Sequence, residues 1–423
     1  MCQPSQIRAT HHGIDWLARP GTLATLIAHS QLAIIGGGPA GLRAAEVAAS
    51  AGVQVTLYDA KPSVGRKFLV AGKGGLNLTH GEALERFATR YSGPDQPEGI
   101  WADLLAGFDP AALRQWAANL GVETFQATSG RVYPKALKAA PMLRRWIERL
   151  RGLGVRFAMN HRCVSLESGP PYRLGFDNGE SATADAVIFA LGGGSWARTG
   201  SDGAWQSLFE KLGISQNPLA PANCGWEHEW SPEILTAAEG KPLKNLHVRA
   251  GEATAIGELM LTRYGLEGGA IYQLGAILRA MPQPAIAIDF KPTFTHEQLV
   301  AKMQSVKRDF LDEARVRWKL SEPAHAILSR KTFADADSLA REVKQCVIPL
   351  SRPRPIDEAI SSAGGIRWRE TDRSLMLKKL PGIFIAGEMI DWEAPTGGYL
   401  MQGCFATATR AANSAVQWLG QTV

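Results

Sequence analysis

Apolar positions along the chain fall into short runs whose period switches between two and about three and a half residues. Leu32-Ala33-Ile34-Ile35 is unbroken apolar, the pattern of a strand buried on both faces. Glycines follow at once. Leu42 to Ser50 is then alanine-rich, with high helix propensity and a stop at Gly52. Val53 to Tyr58 alternates as a second strand and delivers Asp59. A β-α-β unit is predicted from Gln31 to Asp59.

Farther along, Asp109-Pro110 offers an N-cap and a first-turn proline for a helix reaching about Leu120. A helix starting near Pro141 carries Leu143, Trp146 or Ile147, Leu150 and Leu153 on one face. Val155 to Met159 and Cys163 to Leu166 read as short strands. Tyr172 to Phe176 and Ser181 to Ala184 flank Asp177-Asn178-Gly179, a hairpin signal. Ala186 to Ala190 is another buried strand, ended by Leu191-Gly192-Gly193-Gly194. From Pro218 to about Pro292, short alternations between prolines and glycines predict antiparallel β structure. His296 to Leu311 and Ser338 to Val347 read as amphipathic helices, and Pro349, Pro353 and Pro355 mark a boundary. The strand Gly382 to Ala386 and the helix Gln402 to Leu419 return to the opening style.

The expected organisation is α/β. An N-terminal extension covers 1–30. A Rossmann-like nucleotide-binding domain is discontinuous, built from 31–216 and 351–423. An inserted domain, 217–350, is β-rich over 217–294 and helical over 295–350.

With 423 residues, 45% hydrophobic and 20% charged, the chain can bury several cores, which excludes a disordered or fibrous protein. Lys+Arg minus Asp+Glu is 46 − 40 = +6 with no run of like charge. That suits a phosphate-bearing ligand but shows no basic stripe interleaved with aromatics, so nucleic acid is not the expected partner. Cys2, Cys163, Cys224, Cys346 and Cys404 include no CxxC pair, and the nine histidines form no ligand pattern. A disulfide framework and a metal site are therefore not expected. His228, His247, His296 and His325 are read as surface or capping residues. No Gly-x-Ser-x-Gly or His-Glu-x-x-His motif supports a hydrolase. The apolar runs near the start are too short for a membrane span or signal segment, which points to the cytoplasm.

The 44 glycines exceed the usual ~7% and cluster where backbone would pass close to a ligand. Gly36-x-Gly38-Pro39-Ala40-Gly41 stands between a strand and a helix, with Asp59 18 positions beyond Gly41. Gly36 permits a tight turn, Gly38 lets backbone approach a pyrophosphate, and Gly41 allows helix and strand to pack closely. The helix N-terminus adds free N–H groups for the phosphates, and Asp59, followed by Ala60 and Lys61, would accept from an adenosine ribose. No second such fingerprint exists: Gly152-Leu153-Gly154 is a helix exit, and Gly192-Gly193-Gly194 lacks a following helix and acid. A cofactor carrying its own redox centre, FAD, therefore fits better than nicotinamide. Gly387-Glu388, after the last strand, would present an acid to ribityl hydroxyls. Gly397-Gly398-Tyr399 would aim a helix N-terminus at the flavin pyrimidine.

Four blocks carry a family resemblance: Ile34 to Gly41, Gly65 to Asn77, Gly257 to Leu266 and Gly382 to Tyr399. Together they resemble the bacterial NAD(P)/FAD-dependent oxidoreductase family of flavoproteins within the glutathione-reductase-like superfamily, which includes aminoacetone-oxidase-like and bile-acid ketosteroid reductase-like proteins. The resemblance implies a FAD domain made from both chain ends, with an insert that is part β-barrel-like and part helical. It places Gly65, Arg66 and Lys67 along the pyrophosphate and ribityl, and Lys73, Gly74 and Asn77 close to the flavin. Cys163 falls where a strand backbone meets adenine, and Gly192 joins the cofactor set. One departure stands out. Where the family often shows Gly-Arg-Cys-Asn, this chain has Gly74-Gly75-Leu76-Asn77, which removes a thiol from the flavin's surroundings.

The expected activity is two-electron oxidation or reduction of a small organic substrate by a FAD-dependent oxidoreductase. Tyr399, Lys73 and Arg263 are the candidate catalytic groups, Trp392 is a further aromatic beside the flavin turn, and oxygen or a separate reductase is the electron partner. The alternatives are an RNA-modifying flavoprotein, with Lys302, Lys307, Arg308, Arg315, Arg317 and Lys319 as its positive region, or a FAD-binding redox sensor without turnover.

Overall fold

The computed structural model describes residues 29–72, 75–167 and 169–422. Its central sheet has five parallel strands: β1 (Gln31–Ile35), β2 (Gln54–Asp59), β3 (Arg156–Met159), β4 (Ala186–Phe189) and β5 (Ile383–Ile385). Their order is β5-β4-β1-β2-β3. Ile34 pairs with Leu57 on one side and Ile188 on the other, so the apolar runs read from the sequence do lie in the sheet's middle. Parallel strands buried on both faces need such runs.

Helix α1 (Pro39–Ser50) crosses between β1 and β2, with Pro39 at its first position and alanines facing the sheet. Buried Glu46 anchors its outer side, accepting from the indole N–H groups of Trp116 (2.7 Å) and Trp146 (3.0 Å). Helix α2 (Arg66–Ala71) is short. Helix α3 (Ala139–Gly152) buries Met142, Leu143, Trp146 and Leu150 as its period predicts, while Leu153 lies outside it as the C-cap. The predicted cap at Asp109 is present: its carboxylate accepts from the Ala112 N–H at 2.7 Å. The hairpin Tyr172–Phe176/Ser181–Ala184 forms the middle and edge of a three-stranded antiparallel sheet with Cys163–Glu167.

Among the described residues there are two large hydrophobic clusters. The first joins β1 to β5 with α1, α3 and the last helix. The second runs from Trp226 to Leu350 around a six-stranded antiparallel sheet. Several boundaries there differ from the sequence reading. The β-rich stretch also contains helices Pro232–Ala238, Gly269–Gln273 and Gly275–Ala280. The expected helix His296–Leu311 is two helices, His296–Ala301 and Phe310–Arg317, separated by a turn that ends in Asp309 at φ +55°. The helix expected over Ser338–Val347 ends at Lys344. Cys346–Pro349 is the sixth strand of the sheet, with Cys346 and Ile348 buried and Val347 exposed. Alternation at three apolar positions there outweighed the helical period.

The last helix, α5, spans Tyr399–Thr422 and packs along α1, beginning three residues earlier than its apolar pattern suggested. Between α3 and α5 in the chain, α4 (Gln206–Lys211) follows the turn after β4.

Candidate functional site

Residues from both chain ends converge on one cavity of about 400 Å³, within the ~300–1,000 Å³ usual for ligand sites. Its floor is the β1–α1 turn. Gly36 holds φ +109°, which only glycine adopts without strain. At Gly41 a Cβ would fall 1.8 Å from the Gly36 carbonyl oxygen, so helix and turn can touch only through glycine. Gly38 is different: a Cβ there meets nothing within 4 Å, because that face opens into the cavity. The free N–H groups at the start of α1 therefore look onto empty space of the size a pyrophosphate needs.

Asp59 stands at the end of β2 with one carboxylate oxygen accepting from the Gly37 N–H and the other from the Lys61 N–H, both at 2.7 Å. Burial pushes its pKa above the ordinary 3.8, against the pull of those two N–H groups. Each oxygen keeps a lone pair for a ribose hydroxyl. His161 sits beside Tyr58 and Phe176 with its Nδ1 at 2.7 Å from the Met159 carbonyl. Burial disfavours its charge, yet that carbonyl and Glu180 hold its proton more tightly than usual.

At the other end, the Lys67 ammonium bonds Ser195 Oγ (2.6 Å) and Glu388 Oε2 (2.8 Å), while the Ser362 N–H donates to Glu388 Oε1 at 3.0 Å. Four chain segments meet in that cluster. Among the described residues, Arg66 Nε, in a residue lining the cavity, has no hydrogen-bond partner. Buried polar atoms are normally bonded, so this donor is free for a ligand. The glycine cradle, the Asp59 acceptor, the Glu388 carboxylate and the unpaired Arg66 donor together fit a flavin dinucleotide.

Gly36, Gly38, Pro39, Ala40, Asp59, Ala60, Gly65, Arg66, Lys67, Cys163, Gly192, Gly387 and Glu388 all line this cavity. Gly41 lies beneath it, and the Lys61 side chain packs outside, against Gly200. Lys73 and Gly74 fall outside the described residues, as does the extension up to residue 28. Burial lifts the Cys163 thiol to about 12, which leaves the backbone as its useful part.

Asn77, Gly397, Gly398 and Tyr399 lie outside the lining. Tyr399 is core: its ring packs on Phe87 and His80, and its hydroxyl donates to Glu82 at 2.6 Å. Glu82 is itself gripped by Arg90 at 2.8 and 2.9 Å. Burial, with Glu82 adding to it, drives the Tyr399 phenol well above its ordinary range. The proton is committed to Glu82, and the residue serves to fix the start of α5. Trp392 is likewise buried, donating to the Gly387 carbonyl at 2.9 Å. Arg263 is 80% exposed and paired with Glu239 at 3.1 Å on the second sheet.

Sequence reasoning missed the cavity wall formed by Arg162, Ser201, Asp202 and Trp205. The only local signal for it was a glycine pair, Gly200 and Gly203, after β4. Among the described residues no His/Cys/Asp/Glu cluster could hold a metal ion, and no helix is long and apolar enough to cross a membrane.

Fold and site define a FAD-dependent oxidoreductase built on a Rossmann-like domain. More particularly, the chain belongs to the HI0933-like protein family, whose Rossmann domain matches residues 30–414. It is 27% identical to the 3-dehydro-bile acid Δ(4,6)-reductase of Clostridium scindens, over 92% of this chain and 99% of that one. It is 24% identical to the ribosomal RNA dihydrouridine synthase of Escherichia coli, over 90% and 97% respectively. In fold it is similar to the 3-ketosteroid-Δ4-(5α)-dehydrogenase of Rhodococcus jostii, at a TM-score of 0.50 and 15% identity, covering 93% of this chain and 98% of that one.

Proposed function

We propose that this oxidoreductase transfers two electrons to or from a carbon–carbon double bond conjugated to a carbonyl group. The observation that supports the reading is one cavity lined by Asp59, Gly38, Lys67 and Glu388, which would meet in turn the ribose, pyrophosphate and ribityl of one dinucleotide. Bound FAD supplies the hydride chemistry. The chain's part is positional: Asp59 and the Gly38 turn hold the nucleotide, Glu388 with Lys67 orients the ribityl, and the start of α5 offers positive dipole beyond it.

The bond class is supported by the names of two relatives. Saturating Δ4 or Δ6 of a 3-ketone and converting uridine to dihydrouridine both add hydrogen across a double bond conjugated to a carbonyl. We also propose that 31–216 with 351–423 forms the cofactor domain and 217–350 the insert, in line with the second hydrophobic cluster. The test is anaerobic: photoreduced protein is mixed with a panel of cyclic enones and with their saturated analogues. Reoxidation of the flavin by enones alone, with products two mass units heavier, is expected. Equal rates with both sets would sink the proposal.

A small molecule is the substrate we propose. RNA is the second reading, favoured by the dihydrouridine synthase relative and by Lys302, Lys307, Arg308, Arg315 and Lys319. Arg317 is less available, since it bonds Glu313 at 2.7 Å. Salt-dependent retention of ribosomal RNA fragments by the protein would select that scaffold for the same bond chemistry.

A further inference from the structure

The adenosine end of the cavity is covered by a segment that no motif marks. After β4 the chain makes a 3-10 turn, Ala197–Thr199, and runs into α4 past Ser201, Asp202 and Trp205, which face the cavity. On its inner side this strap is tied by neutral bonds to the loop after β4. Trp205 Nε1 donates to the Gly192 carbonyl at 2.9 Å, and Ser201 Oγ to the Gly193 carbonyl at 3.1 Å. Gly200 lies so near the Lys61 stem that a Cβ would sit 3.1 Å from its Cγ.

On the outer side one ion pair closes the gap. Arg162, from the loop after β3, donates to Asp202 Oδ2 at 2.8 Å and to Oδ1 at 3.4 Å. Neither partner is free to swing. Arg162 has its N–H on Asp177 Oδ1 at 3.2 Å and its carbonyl taken by the Asp177 N–H at 2.9 Å, while Asp202 Oδ1 also accepts from the Ala204 N–H at 3.1 Å. Both side chains are at the rim, 33% and 27% exposed. Despite partial burial, the guanidinium holds the Asp202 carboxyl below its ordinary 3.8, so the pair stays charged through the neutral range.

We propose that Arg162 and Asp202 form a latch over the adenosine half of the bound cofactor, and that opening this latch sets the rate of FAD release. The proposal rests on the FAD reading above. A dinucleotide held at Asp59 lies behind the strap, so it leaves only when the strap lifts. The neutral bonds of Trp205 and Ser201 form the hinge side, and the ion pair is the part that breaks. Because it sits at the rim, salt screens it.

The experiment follows flavin fluorescence as holoprotein is diluted into an excess of a flavin-scavenging apoprotein. For the wild type, release accelerates between 0.05 and 0.5 M salt, the range over which screening grows. Asp202→Asn and Arg162→Gln each release FAD up to about fivefold faster at low salt and lose the salt dependence, the size expected for an interaction of this exposure. Arg162→Lys, which keeps a positive charge facing Asp202, retains release that is slow and salt-dependent, which a merely structural role of the guanidinium would not. Variants that hold FAD and release it with wild-type rate and salt dependence overturn the latch alone. Wild-type protein that carries no flavin overturns the cofactor reading and the latch with it.

Discussion

Lys67 and Glu388 stand 321 positions apart in the chain, yet their ammonium and carboxylate meet at 2.8 Å. They join the segment after β2 to the segment after β5, and Ser195, after β4, completes the contact at 2.6 Å. The side chains are 25% and 12% exposed, so the pair lies between a surface bridge and a buried one. Removing one partner leaves the other charge in a poorly solvated place, at a cost on the order of 2 kcal/mol. Lys67→Met is therefore expected to weaken FAD binding about 30-fold. Quenching of flavin fluorescence by the apoprotein measures it, and an unchanged dissociation constant would remove the pair from the cofactor's support.

Two glycines separate cofactor binding from folding. Gly38 has φ −77° and free space at its Cβ position, so the polypeptide itself tolerates a side chain there. Gly38→Leu should keep the melting temperature of the apoprotein within a few degrees while abolishing the yellow colour, since the leucine fills the place of the pyrophosphate. Gly41→Ala should do the reverse of the first half, lowering apoprotein stability, because its methyl collides with backbone. Thermal melts of both apoproteins, with flavin content after purification, check the contrast.

Asp59 makes FAD affinity depend on pH. As an acceptor for ribose hydroxyls it must be ionised, and burial raises its pKa above 3.8. The sign follows from this. Binding is complete well above the raised value and is lost as pH falls through it, earlier than an ordinary aspartate would allow. Flavin release on acid titration should begin at a higher pH than an ordinary aspartate would give and should flatten in Asp59→Asn, which binds weakly at every pH. A wild-type profile identical to that of the variant would exclude Asp59 as the acceptor.

Electron supply is open to a kinetic test. The sequence holds one dinucleotide fingerprint, and that one serves the cavity at Gly36–Gly41. Reduction of the bound flavin by NADH or NADPH is therefore expected to be slow and far from saturation at micromolar nucleotide, with oxygen or a separate reductase as the efficient partner. Stopped-flow absorbance decides it: rapid, saturable reduction would reveal a nicotinamide site that the motif does not announce.

What the sequence by itself determined about this protein is local and periodic. The apolar runs of β1 and β2, the glycine turn, the alanine-rich α1 and Asp59 at the end of β2 lie within reach of one another along the chain, so strand period, helix propensity and turn chemistry describe them. The resemblance of Gly382 to Tyr399 to known flavoproteins brought the chain's far end to the same place. The tertiary structure alone decided the rest. It put Tyr399 in the core on Glu82, made Cys346–Pro349 a sheet edge, and left Arg263 on the surface. It also brought Arg162 to Asp202 across the cavity rim. Those facts depend on which side chains meet after segments separated by tens or hundreds of residues have packed. A contact of that kind leaves no period in the sequence, because either partner alone reads as one more charged or aromatic residue in a loop.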